Sequence, residues 1–407
     1  MRKPELLIPA GNLEKLRTAI LYGADAVYTG VEGLSLRTGS AEMNIEDLAQ
    51  GVKEAHANGV RIYAAVNTFA RNTDLDQAKI IIPLLSTIGI DAAIVSEPGM
   101  LKIIKNSAPQ LPIHLSTQAN TTNIEAVRFW RDQGVRRIIL ARELTLKEVG
   151  DIAKAVPDME SEFFIHGAMC MAYSGRCYLS AFRNRRSANE GDCSQPCRWE
   201  YFLYESTRPN DPLILEEDER YSYLLSSKDL CLIEYLPEIL ASGVTGLKIE
   251  GRMKSAYYVA VVTRTYRQAL NALIRQQEKY QFQEAWIDEL TKISNRGYTT
   301  GFAFAEEKIT ETNPDIKYIQ THEPAGIVLN YDGIQKRITL DVKNRIKIGD
   351  RLEILLPEEI VPIEINSMTD CNGNNISEAH SGSEIYIPYE YEIPIGALVR
   401  QQITPPS

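Results

Sequence analysis

No stretch of this chain is long and apolar enough to serve as a membrane span. The most apolar long run, Lys79 to Ser96, is interrupted by Lys79, Pro83 and Asp91. The N-terminal residues lack the apolar core of a secretory leader, so a cytoplasmic protein is expected. Positive charge is also in short supply. With 44 basic against 54 acidic residues and a net charge of −10, coating of nucleic acid through one broad basic face is excluded, whereas a local basic patch is not. Several enzyme signatures are missing. Pro9-Ala10-Gly11-Asn12 follows the first expected strand where a dinucleotide-binding protein would carry G-x-G-x-x-G, and there is no H-E-x-x-H and no G-x-S-x-G. Repeats and low-complexity tracts are absent. Apolar residues at 44% and charged residues at 24% exclude collagen-like, mucin-like and mostly disordered chains.

What is there is a rhythm. Short, mostly apolar runs at Glu5–Pro9, Ala26–Gly30, Arg61–Val66, Ala92–Ser96, Ile113–Thr117, Arg137–Ala141, Glu162–His166 and Gly246–Glu250 read as strands, mostly 21 to 35 residues apart. Helical patterns lie between them. Asn12 is a plausible N-cap, with Gly23 as the stop, and Thr122 with Glu125 and Thr145 with Glu148 read as capping boxes. The last helix, Ser255 to Arg275, carries one apolar stripe. Alternating strands and helices make a parallel sheet, and the count of eight favours an α/β fold of the (β/α)8 TIM-barrel type over an open doubly wound sheet. The expected organisation is a barrel over 1–280 with a cysteine-rich insertion at 167–225 after the seventh strand, a helical connector over 281–322, and a small all-β barrel domain over 323–407. Segments following barrel strands emerge at the C-terminal face, so the insertion should lie over the mouth.

Six cysteines in a chain without a leader are not expected to form a disulfide framework. Four of them follow the spacing C-x6-C-x15-C-x3-C: Cys170, Cys177, Cys193 and Cys197. Four thiolates can hold a structural zinc or an iron–sulfur cluster. One tight and one loose pair suit a cluster better than a zinc ribbon, and Gly167, Gly175 and Gly191 would let the backbone bend around it. Arg176, Arg183, Arg185, Arg186 and Arg198 crowd the same segment against only Glu190 and Asp192. A phosphate backbone could dock there, with Tyr173, Tyr178, Phe182 and Trp199 stacking on unpaired bases. The bland alternative is a solvated loop whose arginines pair with the two acids.

Polar residues also gather where strands should end: Tyr28, Asn67, Glu97, Gln118, Asn120, Arg142, Glu143, His166, Lys248, Glu250 and Arg252. Arg142, Lys248 and Arg252 could bind a small carboxylate. An internal ion-pair network, Arg142 with Glu143 or Lys248 with Glu250, would account for the same residues. His166 directly precedes the cysteine segment and could act as an acid, a base or an orienting group. A Cys–His protease stays open on residue types alone.

The run Glu162-Phe163-Phe164-Ile165-His166-Gly167-Ala168-Met169-Cys170-Met171-Ala172-Tyr173-Ser174-Gly175-Arg176-Cys177 resembles the signature of the collagenase-like peptidase family U-thirty-two. The resemblance continues through Cys193-Ser194-Gln195-Pro196-Cys197-Arg198-Trp199-Glu200-Tyr201, Ser227-Lys228-Asp229-Leu230, Leu247-Lys248-Ile249-Glu250-Gly251-Arg252 and Asn295-Arg296-Gly297-Tyr298, and covers roughly residues 4 to 305. Within that family it looks most like the branch tied to tRNA uridine hydroxylation. The resemblance implies oxygen-independent formation of 5-hydroxyuridine at the wobble position, with prephenate as co-substrate. It also implies an iron–sulfur cluster, expected as [4Fe–4S], on Cys170, Cys177, Cys193 and Cys197. On that reading Arg142, His166, Lys248, Glu250 and Arg252 are the catalytic candidates. Tyr173, Arg176, Arg183, Arg185, Arg186 and Arg198 would contact the tRNA anticodon loop, and either a paralogous partner subunit or a homo-oligomer is compatible. Relatives acting on ribosomal RNA or ubiquinone precursors, a peptidase, and a non-catalytic RNA-binding partner are the alternatives.

Overall fold

The computed structural model describes residues 3–35, 42–170, 172–199, 203–205, 208–213, 228–304 and 319–403. Met171, Glu200, Tyr201 and Ser227 of the motifs above, and the side chain of Arg198, lie outside what it describes.

Eight parallel strands close on themselves: Glu5–Pro9, Ala26–Val31, Arg61–Ala65, Ala92–Val95, Ile113–Leu115, Arg137–Ile139, Glu160–Ala168 and Gly246–Ile249. The eighth pairs with both the first and the seventh, which makes the sheet a TIM-type barrel rather than an open sheet. These strands read as apolar runs because both their faces are covered, by interior side chains and by the surrounding helices. Glu5–Pro9 and Ala26–Val31 are buried at every position.

Helix starts follow local chemistry. Asn12 accepts from the Lys15 amide, and Thr145 with Glu148 forms the expected reciprocal capping box. The box expected at Thr122 is replaced. Asn123 caps the helix Ile124–Asp132 and accepts from the Ala126 amide, because its carboxamide already stands at the position from which the third helical amide can be reached. The helix Ala256–Gln276 departs from its single stripe and is buried on nearly every face. It is covered by the barrel on one side and the C-terminal domain on the other, where Arg264 donates to the Leu356 carbonyl at 2.7 Å and Gln268 to that of Pro357 at 2.9 Å.

Between the seventh and eighth barrel strands, a short strand, Asp229–Cys231, adds antiparallel to the end of the seventh and pairs with Tyr298–Thr299. Among the described residues the expected helical connector is only partly helical. Its helix is Glu284–Thr291, and the following Asn295-Arg296-Gly297-Tyr298 run feeds a strand, fixed by the buried Arg296–Asp229 ion pair. Beyond it, seven antiparallel strands run from Ile360–Glu364 at one edge to Thr369–Asp370 at the other, around a separate core that includes Val328, Leu340, Ile354 and Ile385.

The barrel interior is charged as well as apolar. Lys248 Nζ lies 2.7 Å from Glu162 Oε1, and Arg137 bonds Glu162 at 3.2 Å and, closely, Glu5. Tyr63 donates to Glu5 at 2.8 Å. This buried column alternates sign along its length, as buried charges must if each is to be compensated.

Candidate active site at the barrel mouth

The C-terminal ends of the strands and the cysteine segment enclose one cavity with about 1050 Å³ of empty space, part of it open to solvent. Its floor and wall carry Tyr28, Asn67, Gln118, Arg142, Phe164, Lys248, Glu250 and Arg252, and its roof carries Cys170, Cys177, Cys193 and Cys197. All four cysteines thus line the same space as Arg142, Lys248, Arg252 and Glu250.

Lys248 stands over the ring of Tyr28, 4.0 Å from its centroid. Burial lowers its pKa from the usual lysine value, opposed by the Glu162 carboxylate. The Arg142 guanidinium lies 4.1 Å from the Phe164 ring and reaches Glu250 Oε2 at 3.3 Å. Arg252 donates to Ser35 Oγ at 3.3 Å. Tyr28 donates to the Ile249 carbonyl at 3.0 Å, and burial raises its pKa well above the usual phenol value. An ion-pair network does exist, with other partners than the two weighed from sequence. Arg142 pairs with Glu250 and Lys248 with Glu162, while Glu143 turns away to the cysteine segment.

That segment is fastened at several points. Glu143 accepts from the Ser174 amide at 2.6 Å and from its hydroxyl at 3.0 Å, where Ser174 adopts the left-handed conformation. Asn189 accepts from the Cys177 amide at 3.1 Å. Ser180 and Ser194 join hydroxyls at 3.0 Å, and Asn184 donates to Ser194 at 2.6 Å, tying the half that holds Cys177 to the half that holds Cys193. Asn184, Asn189 and Ser180 carry no spacing that marks them in the sequence. Gly167 is required for a local reason. Its φ is +108°, and a Cβ there would collide with the Glu250 carbonyl.

The catalytic expectation for His166 is not met by its position. A register shift between the seventh and eighth strands pairs Lys248 with Phe164 but Ile249 with His166. A one-residue bulge reverses the facing of the residues after it, so Phe164 lines the cavity and His166 points away from it. It packs among Tyr258, Tyr266 and Tyr298. Burial pulls its pKa down to about 3, only partly offset by Asp229, so it stays neutral at physiological pH. Glu97 and Asn120 do not line the cavity either. Glu97 caps the helix Pro98–Ser107, and Asn120 closes the turn Thr117–Ala119 in a left-handed conformation.

Of the arginines on the roof, Arg176 sits 5.1 Å from the Phe69 ring, Arg186 pairs with Asp192 at 2.6 Å, and Arg183 and Arg185 are exposed. Tyr173, Tyr178, Phe182 and Trp199 are all exposed, Tyr178 by 80% and Phe182 by 84%. Four large rings kept in water beside a cavity mark a contact surface.

The cysteines at the mouth are of the residue type that fits a thiolate-held group. Four thiols border one space and Cys177 Sγ accepts the Leu179 amide at 3.3 Å. Among the described residues no group of three or more His, Cys, Asp or Glu side chains is gathered tightly enough to hold a metal ion.

Comparison with known proteins agrees with this architecture. The description "Peptidase family U32" matches residues 11–313, and "Peptidase family U32 C-terminal domain" matches residues 320–400. The chain is 39% identical to tRNA hydroxylation protein P1 of Bacillus subtilis, covering 94% of this chain and 91% of that one. It is 35% identical to tRNA hydroxylation protein P of Escherichia coli, covering 97% and 95%. It is also 35% identical to the Escherichia coli 23S rRNA 5-hydroxycytidine C2501 synthase, covering 91% of this chain and 55% of that protein. The chain belongs to peptidase family U32.

Proposed function

Starting from that membership, we propose that this protein hydroxylates a pyrimidine of tRNA, forming 5-hydroxyuridine at the wobble position without molecular oxygen and with prephenate as co-substrate. The observation that carries the reading is the meeting of four thiols and three cations on one cavity whose outer rim is exposed arginine and aromatic surface. The relatives named for tRNA and ribosomal RNA hydroxylation support it over nearly the whole chain.

Cys170, Cys177, Cys193 and Cys197 would hold an iron–sulfur cluster, most simply [4Fe–4S], which supplies electron-transfer or Lewis-acid chemistry when bound. The chain's own residues supply the rest. Arg142, Lys248 and Arg252 present cationic donors to a dicarboxylate such as prephenate, Arg142 and Arg252 as planar forks and Lys248 as a point charge. Glu250 holds Arg142 toward the cavity, and Glu162 holds Lys248 from below. Tyr173, Tyr178 and Phe182 offer rings on which unpaired anticodon bases stack, with Arg183 and Arg185 beside them for phosphates.

A cysteine peptidase would need a base beside its nucleophile. None of the five histidines lines the cavity, so no Cys–His pair is assembled there. Anaerobic purification with iron and sulfide analysis tests the proposal. About four irons per chain in wild type, lost in the Cys193→Ala/Cys197→Ala double variant, is the expected result. Zinc, or peptide cleavage that survives loss of the thiols, overturns it.

A further inference from the structure

The three cations of the mouth are not held alike. Arg142 touches Glu250 and Lys248 touches Glu162. Arg252 reaches a carboxylate through a hydroxyl. Its Nη1 donates to Ser35 Oγ at 3.3 Å, and Ser35 Oγ donates in turn to Glu42 Oε1 at 2.8 Å. Ser35 and Arg252 are buried and Glu42 is half-buried, so these contacts run largely out of water, where each is stronger than at the surface. Burial pushes the Glu42 carboxyl above its usual pKa, opposed by the Ser35 hydroxyl and by the Arg252 charge. The backbone of Arg252 is held separately, by Lys15 Nζ donating to its carbonyl at 3.2 Å.

The topology brings Glu42 there. Glu42–Met43 is a short strand lying parallel to the end of the second barrel strand, with Glu42 beside Gly30. That end of the strand is the C-terminal rim of the barrel, where the mouth lies. Three cations bordering one cavity repel one another, so each needs an anchor to stay in place. A carboxylate in direct contact anchors a guanidinium firmly but also neutralises it and competes with an incoming anion. A hydroxyl set between the two charges orients the guanidinium with less neutralisation, because the interaction weakens with distance. Arg252 therefore keeps more pull on a carboxylate than a directly paired arginine would.

Resting on the reading above, in which Arg252 binds a carboxylate of the co-substrate, we propose that Ser35 and Glu42 are positioning residues for that anion. Glu42 fixes the Ser35 hydroxyl, and the hydroxyl fixes the guanidinium. Arg252 then meets the carboxylate with less rotamer freedom left to lose on binding. Both residues act through Arg252 rather than on the ligand. Loss of one such hydrogen bond corresponds to roughly three- to tenfold in affinity.

The test measures the dissociation constant of prephenate for the full chain, purified anaerobically, by isothermal titration calorimetry. Ser35→Ala removes the hydroxyl, and Glu42→Gln removes the charge while keeping the shape. Each should weaken binding roughly three- to tenfold. Repeating both in an Arg252→Met background completes a double-mutant cycle, in which a residue acting through Arg252 has nothing left to act on. Arg142 and Lys248 remain to hold the anion there, so binding stays measurable. In that background Ser35→Ala and Glu42→Gln should change affinity by less than about twofold. A merely structural role would weaken binding in both backgrounds, and that result overturns the inference. So does unchanged affinity in both single variants. The two variants remove different groups, so one that fails to fold leaves the other to decide. Wild type that does not bind prephenate overturns the co-substrate reading and this inference with it, so the two failures are distinct.

Discussion

At the residue scale the interior of the barrel makes the firmest demands. Glu162 is fully buried between two cations, Arg137 and Lys248. Removing its charge leaves both without their nearest counter-ion, so Glu162→Gln should destabilise the fold by about 3–5 kcal/mol in denaturant titration. A cost below 1 kcal/mol would show that the column is dispensable. His166 gives a prediction of opposite kind, about pH rather than size. Its folded pKa of about 3 lies below the ordinary 6.5 of the unfolded chain. The unfolded state therefore binds a proton first as pH falls, and stability contributed by neutral His166 is present above 6.5 and lost progressively toward 3. His166→Asn should flatten the fall in stability between pH 6.5 and 4 relative to wild type. An unchanged slope would mean the ring is not held neutral.

At the scale of elements, the cysteine segment depends on groups outside it. Glu143 follows the sixth strand and accepts from both donors of Ser174, its amide and its hydroxyl. Glu143→Ala should leave the melting temperature of the barrel within a few degrees of wild type. Hydrogen exchange across 172–199 should rise about tenfold or more, since two hydrogen bonds to a charged group are lost. Unchanged exchange would assign the fastening to Asn189 and the Ser180–Ser194 contact instead. Much of this scale is legible in the sequence. The eight strands announce themselves because parallel strands are buried on both faces and become short apolar runs. The place of the cysteine segment follows from the overlong interval after the seventh strand. Facing is harder to read. Arg142 and Glu143 are neighbours in sequence, yet adjacent residues need not point the same way, and they bind different partners. The bulge that turns His166 outward is invisible to a pattern that assumes unbroken alternation.

At the scale of the whole molecule, the C-terminal domain is fixed to the barrel rather than tethered. Tyr22 donates to the Leu355 carbonyl at 2.7 Å and accepts the Leu398 amide at 3.0 Å. Arg400, fully buried, bonds Glu289 at 2.8 and 3.0 Å and Glu353 at 2.7 Å. Burial alone would raise the Glu289 carboxyl, but Arg400 and Lys292 hold it down to about 2. Its contribution is therefore full above its unfolded value near 4.5 and is lost as pH falls through about 2. Arg400→Met should cost about 3 kcal/mol and separate the unfolding of the two domains into two calorimetric transitions. A single unshifted transition would show that the apolar contacts suffice. This arrangement holds the second domain against the barrel's last helix, while Tyr178 and Phe182 stand exposed at the barrel mouth.

Whether the cysteine-lined, cation-lined cavity hydroxylates tRNA, as proposed, is read out by nucleoside mass spectrometry. tRNA from cells relying on this chain would be compared with tRNA from cells carrying Cys177→Ser or Arg142→Met, each variant checked for its folded level. 5-Hydroxyuridine is expected with wild type, and its loss by at least tenfold with either variant. Undiminished 5-hydroxyuridine in both variants, or none with wild type, would contradict the proposal.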